Sequence, residues 1–332
     1  MTIQPEDRSK NRMVLVTGAN GFLGSAIVRL LVDAGIPSRA TGEEPACLHS
    51  GIEYIQADIT RSQQVIPAVR GVHTVIHAAG LAHVFEPDKL TKNAFRDINE
   101  NGTANVMSMA ADNGAEHFIL ISSVAVYGLF TRGQCAETAP CNPVGPYAES
   151  KYNAERRAQE IALRSGMNLT ILRFSTLYGE NDRGNVARLM RAIDRKRFIW
   201  IGDGRNRKSL LYKKDAARAC LLVATQPASG IRIFNVSSPP CTMQDIVYGL
   251  ADALGKKPLP GHIPDVLVLP LTHILARSSN SRFVNLHQTV KKWLAEDVYD
   301  THRFDEAYHF HVQTSLKEGL MRQVAWYRKS RP

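Results

Sequence analysis

The chain has 332 residues, of which 44% are hydrophobic and 22% are charged, and its formal net charge is +10. These values are typical of a soluble globular protein with one large domain, or a large domain and a smaller partner. The distribution of the hydrophobic residues predicts no membrane-spanning helix, because no apolar run approaches the ~20 residues that such a helix needs. The nearest run, Val266 to Ala276, is short and contains Pro270 and His273, and we interpret it as packing surface.

The N-terminus and the cysteines indicate a cellular compartment. Residues 1–12 are polar and lack the apolar core of a signal peptide, which predicts a flexible leader. Five cysteines, an odd number without close pairing, predict free thiols in a reducing compartment and hence a cytoplasmic protein. Cys135 and Cys141 flank a predicted loop, but a metal site would need further ligands, so none is predicted.

Much of the positive charge lies between Arg183 and Lys214. Aromatic residues are sparse there, and the segment has no helix-turn-helix, zinc or RNA-binding signature, so we predict no nucleic-acid partner. Two interpretations stay open: a solvated helix face, or a binding site for an anionic small molecule such as a nucleotide diphosphate.

From residue 13 to residue 178, short apolar strands alternate with helices. The predicted strands are 13–17, 38–41, 53–56, 74–78, 118–122 and 168–173, and the predicted helices are 25–34, 63–69, 93–113 and 147–165. This order predicts an α/β fold with a doubly wound parallel sheet, in other words a Rossmann-type domain over 13–178. A basic helix (185–196), a strand (198–201) and several turns follow, which predict a smaller mixed lobe over 179–332 that binds substrate, with some return of the chain to the first domain.

A glycine-rich turn follows the first predicted strand. The spacing of Gly18, Gly21 and Gly24 is typical of a loop that lets a dinucleotide pyrophosphate approach the backbone. The helix that begins there offers free N–H groups and the positive end of its dipole. The sequence therefore predicts a cofactor bound by this loop, with contacts from Gly18, Asn20, Gly21, Phe22, Leu23 and Gly24.

The end of the second strand bears on the choice between NAD and NADP. An acidic side chain there favours NAD by bonding the ribose hydroxyls, and a basic one favours NADP. Arg39 lies within or near that strand, but Glu43 falls where the acid is expected, so the sequence favours NAD and leaves NADP open. Asp58, after the third strand, suits a hydrogen bond to the adenine amino group; its alternative role is to cap a turn or a helix.

Tyr147 and Lys151 lie four residues apart, on one face of a predicted helix, and Ser123 follows the strand before it. A free phenol has a pKa of about 10, so its ionisation near neutral pH needs about 4 kcal/mol. Lys151 and a positively charged oxidised nicotinamide would together favour the phenolate. Tyr147 is thus the predicted acid/base, and Ser123 would hydrogen-bond the substrate oxygen.

These motifs resemble those of the extended short-chain dehydrogenase/reductases, a group of nucleotide-sugar epimerases, dehydratases and 4-keto-reductases. The resemblance runs from about Met13 to the C-terminus and is carried by residues 17–24, 77–80, 99–103, 122–128, 147–151 and 173–179. It implies Ser123, Tyr147 and Lys151 as the catalytic residues, with Ser123 chosen over Ser122 because it stands four residues before Tyr127.

The resemblance also implies which residues line the cleft. The implied cofactor contacts are Ile59, Ala78, Ala79, Gly80 and Asn99, together with Tyr147 and Lys151. The implied substrate contacts are Ser123, Tyr147, His83, Asn185 and a basic residue, Arg207 or Lys208, for the phosphate. For His83 a packed loop histidine is the alternative. Glu180 stands where the family usually has proline, so the loop over the sugar is expected to differ. A homodimer through helices 93–113 and 147–165 is also implied.

Several functions fit this catalytic set. Dehydratases of the family resemble each other in carrying an Asp-Glu pair directly after the catalytic hydroxyl residue. In this chain Val124 and Ala125 occupy the two positions after Ser123, and their presence disfavours dehydration. A UDP-hexose or UDP-N-acetylhexosamine 4-epimerase of surface-polysaccharide synthesis is favoured, with a UDP-4-keto-6-deoxy-hexosamine 4-reductase as the alternative. A dehydrogenase of hydrophobic ketones is disfavoured by the basic segment. A non-enzymatic cofactor sensor is disfavoured because such proteins typically lose the tyrosine or the lysine.

Overall fold

The computed structural model describes residues 12–82, 89–128, 133–257, 261–277 and 281–330. The strands are β1 (Val14–Thr17), β2 (Ser38–Gly42), β3 (Glu53–Gln56), β4 (Thr74–His77), β5 (His117–Ser123), β6 (Asn168–Phe174), β7 (Thr176–Tyr178), β8 (Trp200–Ile201), β9 (Arg207–Lys208), β10 (Leu210–Tyr212), β11 (Ile231–Val236), β12 (Cys241–Thr242) and β13 (His262–Ile263). The α-helices are α1 (Gly24–Asp33), α2 (Ser62–Val69), α3 (Lys89–Ala94), α4 (Gly102–Asp112), α5 (Pro146–Ser165), α6 (Asn185–Asp194), α7 (Lys213–Thr225), α8 (Met243–Ala253), α9 (Asp265–Ala276), α10 (Ser281–Leu294), α11 (His302–Tyr308) and α12 (Leu316–Lys329).

Seven parallel strands form the central sheet in the order β3-β2-β1-β4-β5-β6-β11. The four residues of β1 are buried, as expected for a central strand covered by helices on both faces. The strand order reverses between β1 and β4, and ligands of such sheets bind beyond the carboxyl ends of the strands at this reversal. The predicted doubly wound fold is confirmed.

One long predicted helix is divided in the structure. The segment 93–113 comprises the end of α3, a π-helical segment (Phe95–Asn101) and α4. A 3-10 turn (Val124–Tyr127) also follows β5. The π-helical segment places Asn99 inside the protein, next to the predicted catalytic helix, which matters for the site described below.

After residue 179 the chain contributes to both parts of the molecule. Strand β11 pairs with β6, and α7 supplies buried side chains to the core on the α1 side of the sheet. Other segments build a lobe whose core contains Tyr178, Met190, Trp200, Tyr212, Val247, Leu250, Leu320 and Val324.

The five cysteines are free thiols. Within the described ranges, no helix is both long and apolar enough to cross a membrane.

The interpretation of residues 266–276 as packing surface is wrong for much of this run. Helix α9 packs on α10, where the Thr272 hydroxyl hydrogen-bonds His287 Nδ1 at 2.9 Å. Val266, Leu267 and Ile274 are nevertheless 70%, 63% and 62% exposed. The helical period places them on the face of α9 that α10 does not cover.

Candidate active site

Ser123 and Tyr147 meet at the carboxyl end of β5. Gly145, at φ 90°, turns the chain into α5, whose first residue is Pro146, so that Tyr147 lies in the first helical turn. The Ser123 side chain lies close enough to the Tyr147 hydroxyl to favour its ionised form and so to lower its pKa. Ser123 Oγ also accepts the Ala125 N–H at 3.2 Å. The two predicted catalytic hydroxyls therefore lie near each other.

Lys151 lies one helical turn after Tyr147 and is buried. Its Nζ donates to the Ile121 carbonyl at 2.9 Å, and it would lie 3.2 Å from a Cβ added to Gly80. The ammonium is thus placed between β5 and the Gly80 loop. The absence of a side chain at Gly80 leaves room for it.

Burial decides the direction of both pKa shifts. It raises the pKa of Tyr147, and the Ser123 side chain opposes this change. It lowers the pKa of Lys151 to about 8, against the attraction of Glu155. Both groups are therefore biased towards their neutral forms. Burial thus opposes the expected lowering of the phenol pKa, and the positive charge of a bound cofactor would have to add to that of Lys151 to offset it.

A buried network separates Ser122 from its neighbour Ser123. Ser122 Oγ donates to Glu155 Oε1 at 2.5 Å, and Arg173 donates to both oxygens of that carboxylate at 3.0 and 2.6 Å. Arg173 Nη1 also donates to the Tyr127 hydroxyl at 2.8 Å. The Ser122 hydroxyl is therefore engaged in this network, whereas Ser123 is only half-buried. Sequence reasoning missed Glu155, although its place on the buried face of α5 was a signal for it.

A second buried chain of hydrogen bonds passes through His77. Thr103 Oγ1 donates to the Asn99 carbonyl at 2.5 Å, so it accepts from His77 Nε2 at 3.0 Å. His77 Nδ1 then accepts from the Thr17 hydroxyl at 2.8 Å, and Thr17 Oγ1 accepts the Ala79 N–H at 3.2 Å. This pattern fits a neutral imidazole. Burial, with a contribution from the Lys151 charge, lowers the pKa of His77 to about 3.

Asn99 connects the Gly80 loop to the catalytic helix. Its side chain accepts the Leu81 N–H at 2.7 Å and donates to the Leu81 carbonyl at 3.0 Å. It also donates to Ser150 Oγ at 2.9 Å, and Ser150 donates to the Tyr147 carbonyl at 2.9 Å. The amide of Asn99 therefore holds the loop at a fixed distance from Tyr147.

The glycine loop has the shape of an anion site. Gly18 has φ +64°, and a Cβ there would lie 2.6 Å from Ala79 Cα, so only glycine fits. Gly21 is exposed, and no described side chain caps the N-terminus of α1. Lys213 Nζ lies 5.5 Å from the centre of the Phe22 ring and adds positive charge beside the loop. These features fit a pyrophosphate at the helix N-terminus.

Arg39 is turned away from the cleft. Its Nη1 donates to the carbonyls of Ala68 and Arg70 at 3.0 and 2.7 Å, and its Nε lies 2.9 Å from Glu53. The guanidinium is thus bound to the C-terminal end of α2. Glu43 follows β2 directly and is exposed. Of the two, only the acid is exposed at the carboxyl end of β2, and its contact with a ribose stays a prediction.

Three other predicted cofactor contacts have structural partners of their own. The Asn20 amide donates to the Ala46 carbonyl and accepts the Leu48 N–H, both at 2.8 Å, so its side chain fixes the loop after β2. Asp58 Oδ1 accepts from the N–H and hydroxyl of Thr60 at 2.9 and 2.7 Å, which matches the alternative of a turn-forming aspartate. Ile59 is buried in the core beside α4.

The two candidate phosphate-binding residues differ sharply. Lys208 is buried, and its Nζ has three acceptors, the carbonyls of Lys292 and Ala295 at 2.7 Å each and the Asp297 carboxylate at 2.8 Å. Arg207 is half-exposed and pairs with Glu296 at 2.8 Å. Successive strand residues point to opposite faces, so only Arg207 presents its cation outwards.

Glu180, the departure from the family pattern, is built into the lobe. The Tyr212 hydroxyl lies 2.7 and 2.8 Å from its two carboxylate oxygens, and Lys213 Nζ donates to its carbonyl at 2.7 Å. Asn185 is exposed at the start of α6. His83 lies outside the described residues.

Comparison with known proteins agrees with this architecture. The sequence profile of the NAD dependent epimerase/dehydratase family matches residues 14–237, more than half of the chain. The chain belongs to this family. It is therefore an NAD-dependent enzyme, and the resemblance inferred from the motifs is confirmed.

Two curated relatives of this epimerase/dehydratase-family enzyme are epimerases. The N-acetyl-alpha-D-glucosaminyl-diphospho-ditrans,octacis-undecaprenol 4-epimerase of Escherichia coli O157:H7 is 29% identical over 323 residues, which cover 95% of each chain. The UDP-glucose 4-epimerase of Vibrio cholerae is 28% identical over 258 residues, 75% of this chain and 78% of the relative. The solved structure of MoeE5 in complex with UDP-glucose and NAD superposes with a TM-score of 0.76 at 26% identity, covering 96% of this chain and 99% of the other.

Proposed function

We propose that the enzyme is a 4-epimerase of a diphosphate-linked hexose or N-acetylhexosamine, acting in surface-polysaccharide synthesis. The observation that carries the proposal is the position of the Tyr147 hydroxyl beside Ser123, with Lys151 buried one turn away. Val124 and Ala125 follow Ser123 in the 3-10 turn, so neither supplies the acid or base that water elimination would need. The two epimerase relatives described above support the same reaction.

The described residues fit a bound NAD. Gly18, Gly21 and Gly24 form the backbone loop for the pyrophosphate, and Glu43 is the proposed partner of the adenosine ribose. The placement of Arg39 supports NAD over NADP, because its guanidinium is occupied by carbonyls at the C-terminal end of α2 and by Glu53. When bound, NAD would take a hydride from C4 of the sugar and return it to the opposite face.

The catalytic residues move the proton that accompanies this transfer. Tyr147 removes the proton of the C4 hydroxyl as the carbonyl forms, and it returns the proton to the oxygen when C4 is reduced again. Ser123 donates a hydrogen bond to the same oxygen, and the Lys151 ammonium stabilises the phenolate. Because one proton is taken up and the same number is returned, Tyr147 starts each cycle as the phenolate, is neutral while the keto sugar is present, and is the phenolate again at the end.

Substrate contacts are proposed from the exposed polar groups of the lobe. Arg207 is the proposed cation for the diphosphate, since the Lys208 ammonium is already saturated. Asn185, at the start of α6, is proposed to contact the substrate. The homodimer through α4 and α5 stays a prediction, as does a contact from His83.

A substrate panel tests the proposal. The purified enzyme is incubated with UDP-glucose, UDP-N-acetylglucosamine, polyprenyl-diphospho-N-acetylglucosamine and a UDP-4-keto-6-deoxy sugar, and products are followed by NMR. We expect the C4 epimer of one of the first three, without net consumption of NADH or NADPH. Stoichiometric loss of reduced cofactor with the keto sugar alone would instead establish the 4-reductase.

A further inference from the structure

One face of α9 is apolar and open to solvent. Val266, Leu267, Leu271 and Ile274 are 70%, 63%, 59% and 62% exposed, and they recur at the spacing of one helical face. The opposite face of the helix packs on α10, as the contact between Thr272 and His287 shows. From Val266 to Ala276 this helix carries no acidic or strongly basic side chain. A contiguous exposed face of this kind marks an interaction surface.

The same lobe also carries a strongly basic surface. An open cavity of ≈ 560 Å³ at the C-terminal end of α6 is lined by Arg188, Arg191, Ala192, Arg195 and Arg197. The acid of this segment, Asp194, is buried and pairs with Lys256 at 2.6 Å. We call this set of residues the arginine surface.

The backbone joins the arginine surface to α9. Two residues after Arg197, Ile199 is 60% exposed, and β8 begins at the next residue. Strand β8 pairs with β13, which ends at Ile263, itself 42% exposed and two residues before α9. Neighbouring strands lie about 4.8 Å apart. Exposed apolar side chains therefore continue from the edge of the arginine surface to the open face of α9.

We propose that this composite surface docks the enzyme on an anionic lipid bilayer, with α9 lying in the plane of the membrane interface. A helix with an apolar face next to clustered arginines is the arrangement that binds acyl chains and anionic headgroups together. The cations argue against a second copy of the chain as the occupant, because a symmetric contact would bring like charges together. The helix is too short to span a bilayer, so it would lie on the surface.

Vesicle sedimentation of the full chain tests the docking. We expect the enzyme to sediment with phosphatidylcholine vesicles that contain phosphatidylserine, and far less with phosphatidylcholine alone. Raising the salt concentration should weaken the binding, because exposed charges are screened. The triple variant Leu267→Gln, Leu271→Gln, Ile274→Gln should bind more than about tenfold more weakly. The double variant Arg195→Gln, Arg197→Gln should lose about fivefold per arginine.

Matched controls lie on other surfaces. Leu163→Gln removes an exposed leucine of α5, and the double variant Arg70→Gln, Arg156→Gln removes two exposed cations outside the arginine surface. Both should bind vesicles like the wild type. Failure of the wild type to sediment, or equal losses in the control variants, would overturn the proposal. A third result would also overturn the proposal. In it, analytical ultracentrifugation shows a changed oligomeric state of the α9 variant, and the wild type does not bind vesicles.

The docking does not depend on the proposed reaction. The α9 variant should keep wild-type turnover of any water-soluble substrate, because its substitutions lie outside the catalytic residues. Vesicle binding by an enzyme that epimerises none of the panel would refute the proposed function alone. Turnover without vesicle binding would refute the docking alone.

Discussion

Replacement of His77 by glutamine should change how the stability of the enzyme depends on pH. The imidazole is buried between Thr17 and Thr103, and its pKa is lowered from 6.5 to about 3. Between those values the unfolded chain binds a proton that the folded chain does not, so folding becomes less favourable as the pH falls. From pH 7 to pH 5 the His77 contribution to this loss is about 2 kcal/mol.

The assay is urea unfolding at pH 5, 6 and 7, followed by tryptophan fluorescence. At pH 7 the variant should be less stable than the wild type by about 1–3 kcal/mol, because neighbouring hydroxyls lose their partner. Towards pH 5 this difference should shrink by about 2 kcal/mol, since glutamine does not titrate. His302→Gln, at a histidine with 72% side-chain exposure, is the control and should follow the wild type. A difference between wild type and His77→Gln that is the same at all three pH values would refute the reasoning.

Four further predictions concern the site. Tyr147→Phe should abolish turnover while NAD binding, measured by calorimetry, stays nearly unchanged; surviving turnover would exclude Tyr147 as the acid/base. Ser123→Ala should lower kcat by about 10²–10⁴-fold. Ser122→Ala should instead mainly lower the stability, because the Ser122 hydroxyl hydrogen-bonds the buried Glu155. Equal effects of the two variants on kcat would contradict the choice of Ser123 as the catalytic serine. Arg173→Leu should cost about 3–5 kcal/mol in urea unfolding, since it leaves the Glu155 carboxylate buried and unpaired; a loss below about 1 kcal/mol would show that the pair is not needed. Glu43→Ala should weaken NAD binding by about tenfold or more, with Glu44→Ala as the control; equal affinities of the two variants would remove Glu43 from the ribose site.

The central sheet could be predicted because its strands carry unambiguous local signals. A fully buried parallel strand such as β1 is a continuous apolar run, and the glycines after it mark the turn. Tyr147 and Lys151 could be placed on one helix face from their spacing alone. The first six strands of the sheet and the catalytic helix were therefore predicted to within a few residues of their observed bounds, whereas β11 was not predicted.

What could not be predicted depends on partners distant in the chain. The Lys208 ammonium is occupied by groups at the C-terminal end of α10, and Arg39 is occupied by carbonyls of α2. No local pattern shows that such cations are already satisfied. The same holds for α9, whose apolar composition resembles that of a core helix. Only the tertiary structure shows that one of its faces is uncovered.

The most direct test of the proposed epimerisation uses a substrate of the panel that carries deuterium at C4. The account predicts that the C4 epimer forms with its deuterium retained at C4, without added reduced cofactor. The Tyr147→Phe variant should form none of it. Loss of deuterium from the product, or product formation only when NADH or NADPH is supplied and consumed, would contradict the account.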